Sequence, residues 1–319
     1  KINVNTFDIG IMINNNATGM TNAYHTTVML KEAVDGIVTH ADGVYVDCTF
    51  GGGGHSREIL GRLSAKGRLI AFDQDEAAKN NLPEDDRLIF VPHNFRHLQR
   101  FLRLYAMEKV DGILADLGVS SHQFNVAERG FSIRYDAALD MRMDKRATLT
   151  AADILKNYPE EKLHKLFEQY GEVTNSKSLA KAIVAQRSLK DIETISQFKV
   201  AVYGLVKGNP NKYFAQVFQA LRIEVNDELG ALKELLEQSV AMLNQQGRIA
   251  VISFHSLEDR LVKSFFKNGS FEEQEDNIFG IKKTNPLKII TKKPQAPTEY
   301  EIKNNPRSRS ARLRIAEKK

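Results

Sequence analysis

The chain has 319 residues but a single cysteine, Cys48, and this excludes an internal disulfide bond. A chain with one thiol suits a reducing compartment, so we expect a cytoplasmic protein. No histidine or cysteine spacing resembles a zinc site, and we predict no bound metal. No hydrophobic run approaches the roughly 20 apolar residues that a membrane helix needs, and we expect no membrane partner.

The first nineteen residues also lack a basic start and a long apolar segment, so they do not resemble a secretory signal. We treat residues 1–19 as a polar extension, with Met20 as a candidate start of the natural protein. Basic charge is concentrated at the other end. Residues 282–319 hold twelve lysines and arginines against three acidic residues, in a chain with a net charge of only +5. Such a segment is typical of proteins that contact a phosphate backbone, although a merely solvated terminus is also common.

A glycine-rich turn is the most informative feature of the chain. An apolar run over 44–48 predicts a short buried strand, four consecutive glycines follow at 51–54, and a helical pattern begins at His55. A second predicted strand, 68–72, ends in Asp73, whose carboxylate can accept hydrogen bonds from a ribose diol. A strand, a glycine turn and a helix start place backbone N–H groups beside a cofactor. The sequence therefore predicts binding of a cofactor that contains adenosine.

Two cofactor classes share this layout. Nicotinamide enzymes use G-x-G-x-x-G, but here Ser56 or Arg57 stands where the third glycine belongs, depending on the frame. S-adenosylmethionine enzymes need acidic residues near the ends of the first two strands, and Asp47 and Asp73 meet that need. The sequence favours S-adenosylmethionine, with a nicotinamide-dependent oxidoreductase as the alternative.

Strand and helix patterns alternate through the first part of the chain, with further strands predicted at 88–91 and 112–115. This alternation predicts an α/β fold with a doubly wound, mostly parallel sheet. Residues 119–214 contain helical patterns without a convincing strand, and a strong strand returns at 248–254. We therefore predict a cofactor-binding domain formed by 20–118 and 215–319, with an inserted helical domain at 119–214, for which the family resemblance described below implies a role in substrate recognition.

Asp116 ends the fourth predicted strand, at the sheet edge where reacting groups lie in open α/β proteins. Its carboxylate could accept a hydrogen bond from an exocyclic amine and orient the lone pair toward a methyl donor. A turn-capping role is the alternative. Methylation of a ring carbon would use a cysteine nucleophile, for which Cys48 is badly placed. A hydrolase is disfavoured, because no G-x-S-x-G elbow accompanies Ser256 and His255.

Taken together, these segments resemble the bacterial S-adenosylmethionine-dependent methyltransferases that modify cytidine N4 in small-subunit ribosomal RNA. The likeness runs from about His25 to Arg314. The motifs that carry it are His25-Thr-Thr-Val28, Asp47-Cys-Thr-Phe-Gly-Gly-Gly-Gly-His55, Asp73-Gln-Asp75, Asp116-Leu-Gly-Val-Ser-Ser121, Arg129-Gly-Phe-Ser132, Asp140-Met-Arg-Met-Asp144, Ala220-Leu-Arg-Ile-Glu-Val-Asn226, Ser253-Phe-His-Ser256 and Asn305-Pro-Arg-Ser-Arg-Ser-Ala-Arg312.

The resemblance implies a Rossmann-like fold, an assembled small subunit as substrate, a target in the decoding centre and no obligate protein partner. It implies Asp116 as the catalytic residue. It also implies that the cofactor contacts lie at Gly53, Gly54, His55, Asp73, Phe95, Asp116 and Gln123, with Asp73 on the ribose and Phe95 against the adenine.

One departure concerns the target base. Most amino methyltransferases carry Asp/Asn/Ser-Pro-Pro-aromatic where this chain has Asp116-Leu-Gly-Val, so the aromatic that stacks on the base is missing there. Phe131 and His255 are candidates to replace it. A DNA amino-methyltransferase and a non-catalytic RNA-binding assembly factor remain as alternatives to the ribosomal RNA enzyme.

Overall fold

The computed structural model describes residues 27–271 and 284–319. Within them, the strands form one seven-stranded sheet in the order β3-β2-β1-β4-β5-β7-β6. In chain order, β1 to β7 cover Val44–Asp47, Arg68–Phe72, Leu88–Val91, Val110–Asp116, Leu243–Ser253, Leu287–Ile289 and Arg312–Lys318. Strands β1 to β5 pair in parallel, whereas β7 runs antiparallel to both β5 and β6.

The described part of the chain contains twelve α-helices. Helices α1 to α6 cover Leu30–Ile37, Gly54–Arg62, Leu98–Leu104, Ser121–Asn125, Ala151–Asn157 and Glu160–Gly171. Helices α7 to α12 cover Ser176–Arg187, Ile195–Val202, Pro210–Asn226, Glu228–Met242, Ser256–Asn268 and Glu299–Asn304. None of these helices has the length and apolar content to cross a bilayer.

The sheet carries a hydrophobic core on each face, as the period of two along a strand requires. Val46, Ile113 and Val251 belong to one core cluster, which includes residues of α3, α10 and α11. Their chain neighbours Tyr45 and Leu114 belong to the other, which includes residues of α1 and α2. Burial on both faces explains why these strands read as continuous apolar runs. The predicted doubly wound α/β fold is confirmed.

The order of the strands separates this sheet from the dinucleotide-binding arrangement, which is 3-2-1-4-5-6. Here an antiparallel β7 lies between β5 and β6. Strand β6 falls within the run Leu287–Thr291, and β7 begins within the run Ala311–Ile315 and continues to Lys318; both runs mix apolar and basic residues. Lys282 and Lys283, counted with the basic segment, lie outside the described residues, as do residues 1–19.

Several element boundaries differ from the predicted ones. The helical segment between β3 and β4 begins as a 3₁₀ turn, Phe95–His97, before α3, because the side chain of Asn94 accepts the backbone N–H of Arg96. Strand β5 begins five residues before the predicted Arg248. Its first part contains a register shift, with Gln246 at a φ of 64°. The polar, exposed glutamines there hid the start of the strand.

Residues 119–214 contain helices and no strand, as predicted. Their apolar side chains form a separate core cluster with members Ile154, Phe167, Ile183 and Phe198. Helix α9 crosses the predicted boundary at residue 214, and its Phe218 packs in the same cluster. The domain limits stay a prediction, and the continuity of α9 leads us to propose that the helical insert extends to the end of this helix.

A buried ion pair joins the insert to the sheet. Arg129 Nη1 lies 2.6 Å from Asp75 Oδ2, and the two side chains are only 4% and 9% exposed. Gln123 Nε2 donates to the same oxygen at 2.9 Å. The second terminal nitrogen of Arg129 donates to the carbonyls of Arg142 and Met143. One guanidinium therefore connects the end of β2 to two segments of the insert.

Asn226, the last residue of α9, joins this helix to the loop at Met141 and Met143. Its amide nitrogen donates to the carbonyl of Met141, and its amide oxygen accepts the backbone N–H of Met143. Gly130 has a φ of 72°, and a Cβ there would lie 2.5 Å from the carbonyl oxygen of Ala138. The motifs Arg129–Ser132, Asp140–Asp144 and Ala220–Asn226 thus meet in one structural unit.

We predict that Arg129→Met destabilises the protein by about 3–5 kcal/mol, because it leaves the Asp75 carboxylate buried without its cation. Urea unfolding at neutral pH measures the change. The control is Lys156→Met, which breaks an equally short pair with Asp191 whose side chains are 56% and 41% exposed. That exposed pair contributes less than about 1 kcal/mol. Similar losses for the two variants would contradict the structural role of Arg129.

Candidate active site

The glycine turn between β1 and α2 has a steric reason at three of its four positions. Gly51 and Gly53 have φ of 51° and 76°, a left-handed conformation that favours glycine. A Cβ on Gly54 would lie 1.8 Å from Thr27 Oγ1. Gly52 meets nothing within 4 Å and lines the neighbouring cleft. Its bare backbone therefore allows a ligand to approach the turn closely.

Two carboxylates hold this turn in place. Asp47, fully buried at the end of β1, accepts hydrogen bonds from the Thr49 backbone at 3.0 Å and from Ser56 Oγ at 2.7 Å. Asp73 accepts the N–H of Gly51 at 2.7 Å through Oδ2 and that of Asp75 at 2.8 Å through Oδ1. Asp47 holds the turn without lining the cleft, whereas Asp73 holds the turn and also lines the cleft.

The cleft itself has a volume of about 830 Å³, which is in the range of small-molecule sites. It brings together six of the seven residues that the sequence assigned to the cofactor. Those lining it are Gly54, His55, Asp73, Phe95, Asp116 and Gln123. Gly53 belongs to the turn but does not line the cleft. Its left-handed backbone conformation sets the direction of the chain ahead of α2.

Asp116 differs from these side chains in that its carboxyl group lacks hydrogen bonds from described residues that would offset its burial. Its Oδ1 is buried and has no hydrogen-bond partner among the described residues. Burial raises the pKa of this carboxyl well above its ordinary value, and the nearby charges of Asp47, Glu258 and Glu301 raise it further. The end of β4 thus presents an acceptor in a region of excess negative charge, which fits a cationic, hydrogen-donating ligand.

His55 lies beside this carboxylate. Its Nε2 is 3.1 Å from the carbonyl oxygen of Val28, and its Nδ1 is 3.9 Å from Asp116 Oδ2. Burial lowers the pKa of His55, although the charge of Asp47 opposes the shift. The carbonyl can only accept, so we assign the proton to Nε2. The Nδ1 lone pair then faces Asp116. His25, from the same motif as Val28, lies outside the described residues.

Phe95 and Gln123 occupy the two sides of the cleft. The Phe95 ring is partly buried against the sheet core, so one of its faces is fixed by packing. The Gln123 amide is already engaged within the protein, since it donates to Asp75 and accepts the backbone N–H of Ser120. Gln123 therefore positions α4 at the cleft, and a contact of either residue with the cofactor stays a prediction.

The two residues suggested for stacking on a target base do not line the cleft. Phe131 packs in the core of the insert. The His255 side chain is only 9% exposed and lies against Glu258, with 3.2 Å between Nε2 and Oε1. Phe254, its chain neighbour, does line the cleft. Phe254 is therefore a candidate for the aromatic residue that stacks on the target base, one position before the suggested His255.

Sequence reasoning gave no roles to several residues at the mouth of the cleft. Glu301 of α12 lines it and accepts the backbone N–H of Met29 at 2.8 Å, and Arg307 lines it from the next turn. Asn226 and Glu228 line it at the junction of α9 and α10. The motifs Ala220–Asn226 and Asn305–Arg312 pointed to these segments, but no sequence pattern showed that they face the glycine turn.

One group in the described chain has the ligand types and spacing of a metal site. The ligand atoms of Glu228, His255 and Glu258 lie within 4.8 Å of one another. Arg222 donates two hydrogen bonds to Glu228, at 2.8 and 3.0 Å. The guanidinium supplies positive charge at this cluster.

A glycine turn after β1, an acidic residue after β2 and a carboxylate after β4 face one cleft in this fold, and together they define an α/β methyltransferase. The MraW methylase family model matches residues 22–319, and the chain belongs to that family. Ribosomal RNA small subunit methyltransferase H of Bacteroides thetaiotaomicron is 55% identical over 298 residues, 93% of this chain and 98% of that protein.

The protein with the same name from Flavobacterium psychrophilum is 54% identical over 293 residues, which cover 91% of this chain and all of that protein. Among solved structures, an rRNA methylase from Streptococcus thermophilus aligns over 90% of this chain and 91% of its own, with 11% identity and a TM-score of 0.37. The predicted family and the use of S-adenosylmethionine are confirmed. The nicotinamide alternative is set aside.

We predict that the affinity for S-adenosylhomocysteine falls as the pH decreases through about 6. Burial raises the pKa of Asp73 to about 6, against the backbone hydrogen bonds that lower it. Diol hydroxyls donate to the ionised carboxylate, so binding favours ionisation and releases protons near this pH. Calorimetry in two buffers with different ionisation enthalpies measures both effects.

In Asp73→Asn, this pH dependence should disappear together with part of the affinity. Asp116→Asn is the control, because Asp116 also has a raised pKa but lies at the end of a different strand. The control should keep the dependence near pH 6. An affinity of the unaltered protein that stays constant across this range would show that Asp73 does not bind the diol.

Proposed function

We propose that the protein transfers a methyl group from S-adenosylmethionine to N4 of one cytidine in small-subunit ribosomal RNA. The observation that carries the proposal is the Asp116 carboxylate, which has a buried, unpartnered oxygen in the described structure and faces the cleft beside the glycine turn. The names of relatives more than half identical to this chain support ribosomal RNA as the substrate class.

The residues of the cleft fit this cofactor. The turn at 51–54 offers exposed backbone, Asp73 offers an acceptor for the ribose, and Phe95 offers a ring face for the adenine. Asp116, Glu258 and Glu301 place three carboxyl groups along the cleft, and one oxygen of Asp116 has no hydrogen-bond partner among the described residues. S-adenosylmethionine, when bound, supplies an electrophilic methyl group on a positively charged sulfonium. These carboxylates of the cleft suit that cation, because opposite charges attract strongly in a partly buried site.

Asp116 would hold and orient the substrate amine. The lone pair of a cytosine amino group is delocalised into the ring, which makes it a poor nucleophile. A carboxylate that accepts one N–H fixes the direction of the amine, and this contribution is one of orientation and electrostatics. The unpartnered Oδ1 of Asp116 leaves an acceptor available for that N–H. The surplus proton passes finally to solvent.

The wider setting follows from the same proposal. The target base must leave its stack to reach the cleft. We propose an assembled small subunit in the cytoplasm as the substrate, with the target cytidine in the decoding centre. The insert, with its own core around Phe167 and Phe198, would provide the surface that recognises the RNA.

The direct test uses small subunits from cells that lack this activity. They are incubated with the protein and S-adenosylmethionine, the RNA is digested, and the nucleosides are identified by mass spectrometry. We expect N4-methylcytidine only with active protein. Parallel reactions with naked ribosomal RNA and with DNA identify the assembly stage and the polymer. Methylation of DNA alone would replace the proposal, and subunit binding without cofactor affinity would support an assembly factor.

We predict that Asp116→Ala reduces turnover by about 10²–10³-fold, since it removes a preorganised acceptor at the reacting amine. The dissociation constant for S-adenosylhomocysteine should change much less. Single-turnover methylation and calorimetry separate the two quantities. Asp259→Ala is a matched control, because this carboxylate pairs with Arg314 on β7 and does not line the cleft. Equal losses of affinity and preserved turnover at saturation would rule out the amine-holding role.

A further inference from the structure

Two arginines, one of which (Arg307) lines the cleft, lie over one aromatic ring. The guanidinium carbon of Arg307 lies 4.8 Å from the centroid of the Phe124 ring, and that of Arg134 lies 5.9 Å from it. Phe124 belongs to α4, Arg134 to the loop that follows Phe131, and Arg307 to the C-terminal 3₁₀ turn. The fold therefore brings the C-terminal turn, which is distant in sequence, to a ring and an arginine of the insert.

The charges of these two arginines are not balanced by a carboxylate within residues 27–271 and 284–319. Neither guanidinium forms an ion pair with any carboxylate in the part of the chain that the structure describes. Within the described residues, Arg307 donates to the amide oxygen of Asn125, at 2.7 Å. Burial lowers the pKa of Arg307, and the charge of Arg134 lowers it further, although Tyr135 opposes the shift. The two cations repel each other, and neither has an anionic partner among the described residues.

Neighbouring arginines behave differently. Arg142 and Arg146 each pair with an aspartate two residues earlier, at 2.8 Å. The buried Arg129 pairs with Asp75. Arginines in this part of the insert are thus normally neutralised, and Arg134 and Arg307 stand apart from them. Stacking occupies the faces of their guanidiniums and leaves the N–H edges for a ligand.

The location restricts the kind of anion. Arg307 lines the cleft, whose interior holds the carboxylates of Asp73, Asp116 and Glu258. An anion would be repelled from that interior and attracted to the rim. A nucleotide whose base enters the cleft leaves its phosphates at the rim, and guanidinium edges match phosphate oxygens in geometry and charge.

We propose that Arg134 and Arg307, held by Phe124, form a phosphate clamp that binds a backbone phosphate of the substrate RNA beside the target nucleotide. The inference rests on the proposed function, since it places the substrate at the same cleft. The clamp contributes to binding and register of the RNA. It carries no sequence information, because phosphate contacts position a nucleic acid without reading its bases.

The test compares Arg134→Gln, Arg307→Gln and the double variant in binding radiolabelled small subunits over a series of KCl concentrations. Each lost phosphate contact should reduce the slope of log K against log salt by about 0.7–0.9. In methylation assays, we expect the KM for subunits to rise about tenfold in the double variant. The turnover at saturation and the dissociation constant for S-adenosylhomocysteine should stay unchanged.

Arg100→Gln is the matched control. Arg100 is exposed and lies 6.0 Å from the centroid of the Phe101 ring, so the substitution removes the same charge and the same type of stacking away from the cleft. Its salt slope and KM should equal those of the unaltered protein. Arg307→Lys should retain the slope and lose part of the affinity, because lysine keeps the charge without the fork of donors.

Three outcomes would overturn the clamp. An unchanged slope in the double variant would show that no phosphate is bound there. A weakened binding of S-adenosylhomocysteine would assign the arginines to the cofactor carboxylate. An equal fall for Arg100→Gln would show a general effect of charge. Because the binding arm does not depend on the methylated product, failure of the N4-cytidine proposal leaves the clamp separately testable on whichever nucleic acid the protein modifies.

Discussion

The buried carboxylate of Asp75 is the constraint on which the architecture of the cleft depends. It accepts a hydrogen bond from Gln123 of α4 and forms an ion pair with Arg129 of the insert. These two contacts fix α4 and the insert to the end of β2. Two residues earlier, Asp73 holds the glycine turn through Gly51. A single short segment after β2 therefore sets the distance between the cofactor side and the substrate side of the cleft.

The interior of the cleft and its rim carry charges of opposite sign. Carboxylates of Asp73, Asp116 and Glu258 make the interior negative, and burial keeps them poorly solvated. The arginines at the rim are positive and lack carboxylate partners within the described chain. The carboxylates thus suit the cationic cofactor, and the arginines suit the anionic RNA of the proposed function. The same arrangement discourages a free nucleotide from entering with its phosphates first.

Much of this could be predicted from the sequence, because apolar runs and glycine spacing are local signals. The strands that end at Asp47, Asp73 and Asp116 follow directly from such runs, and these ends share one sheet edge in a parallel fold. The partners of Arg129 and Arg307 could not be predicted. Both depend on contacts between segments that are distant in sequence, and only packing of the insert and the C-terminal turn brings them together. The start of β5 was missed because its exposed glutamines carry no strand pattern.

Helix α9 has a mechanical consequence. Its seventeen residues run without a break from the core of the insert to Asn226, a length of about 25 Å at 1.5 Å per residue. Asn226 is tied to the loop at Met141 and Met143, and the chain turns at once into α10. Asn226 and Glu228, on either side of this turn, both line the cleft. The helix therefore runs directly from the core of the insert to the cofactor cleft, so a change in the packing of that core would displace residues that line the cleft.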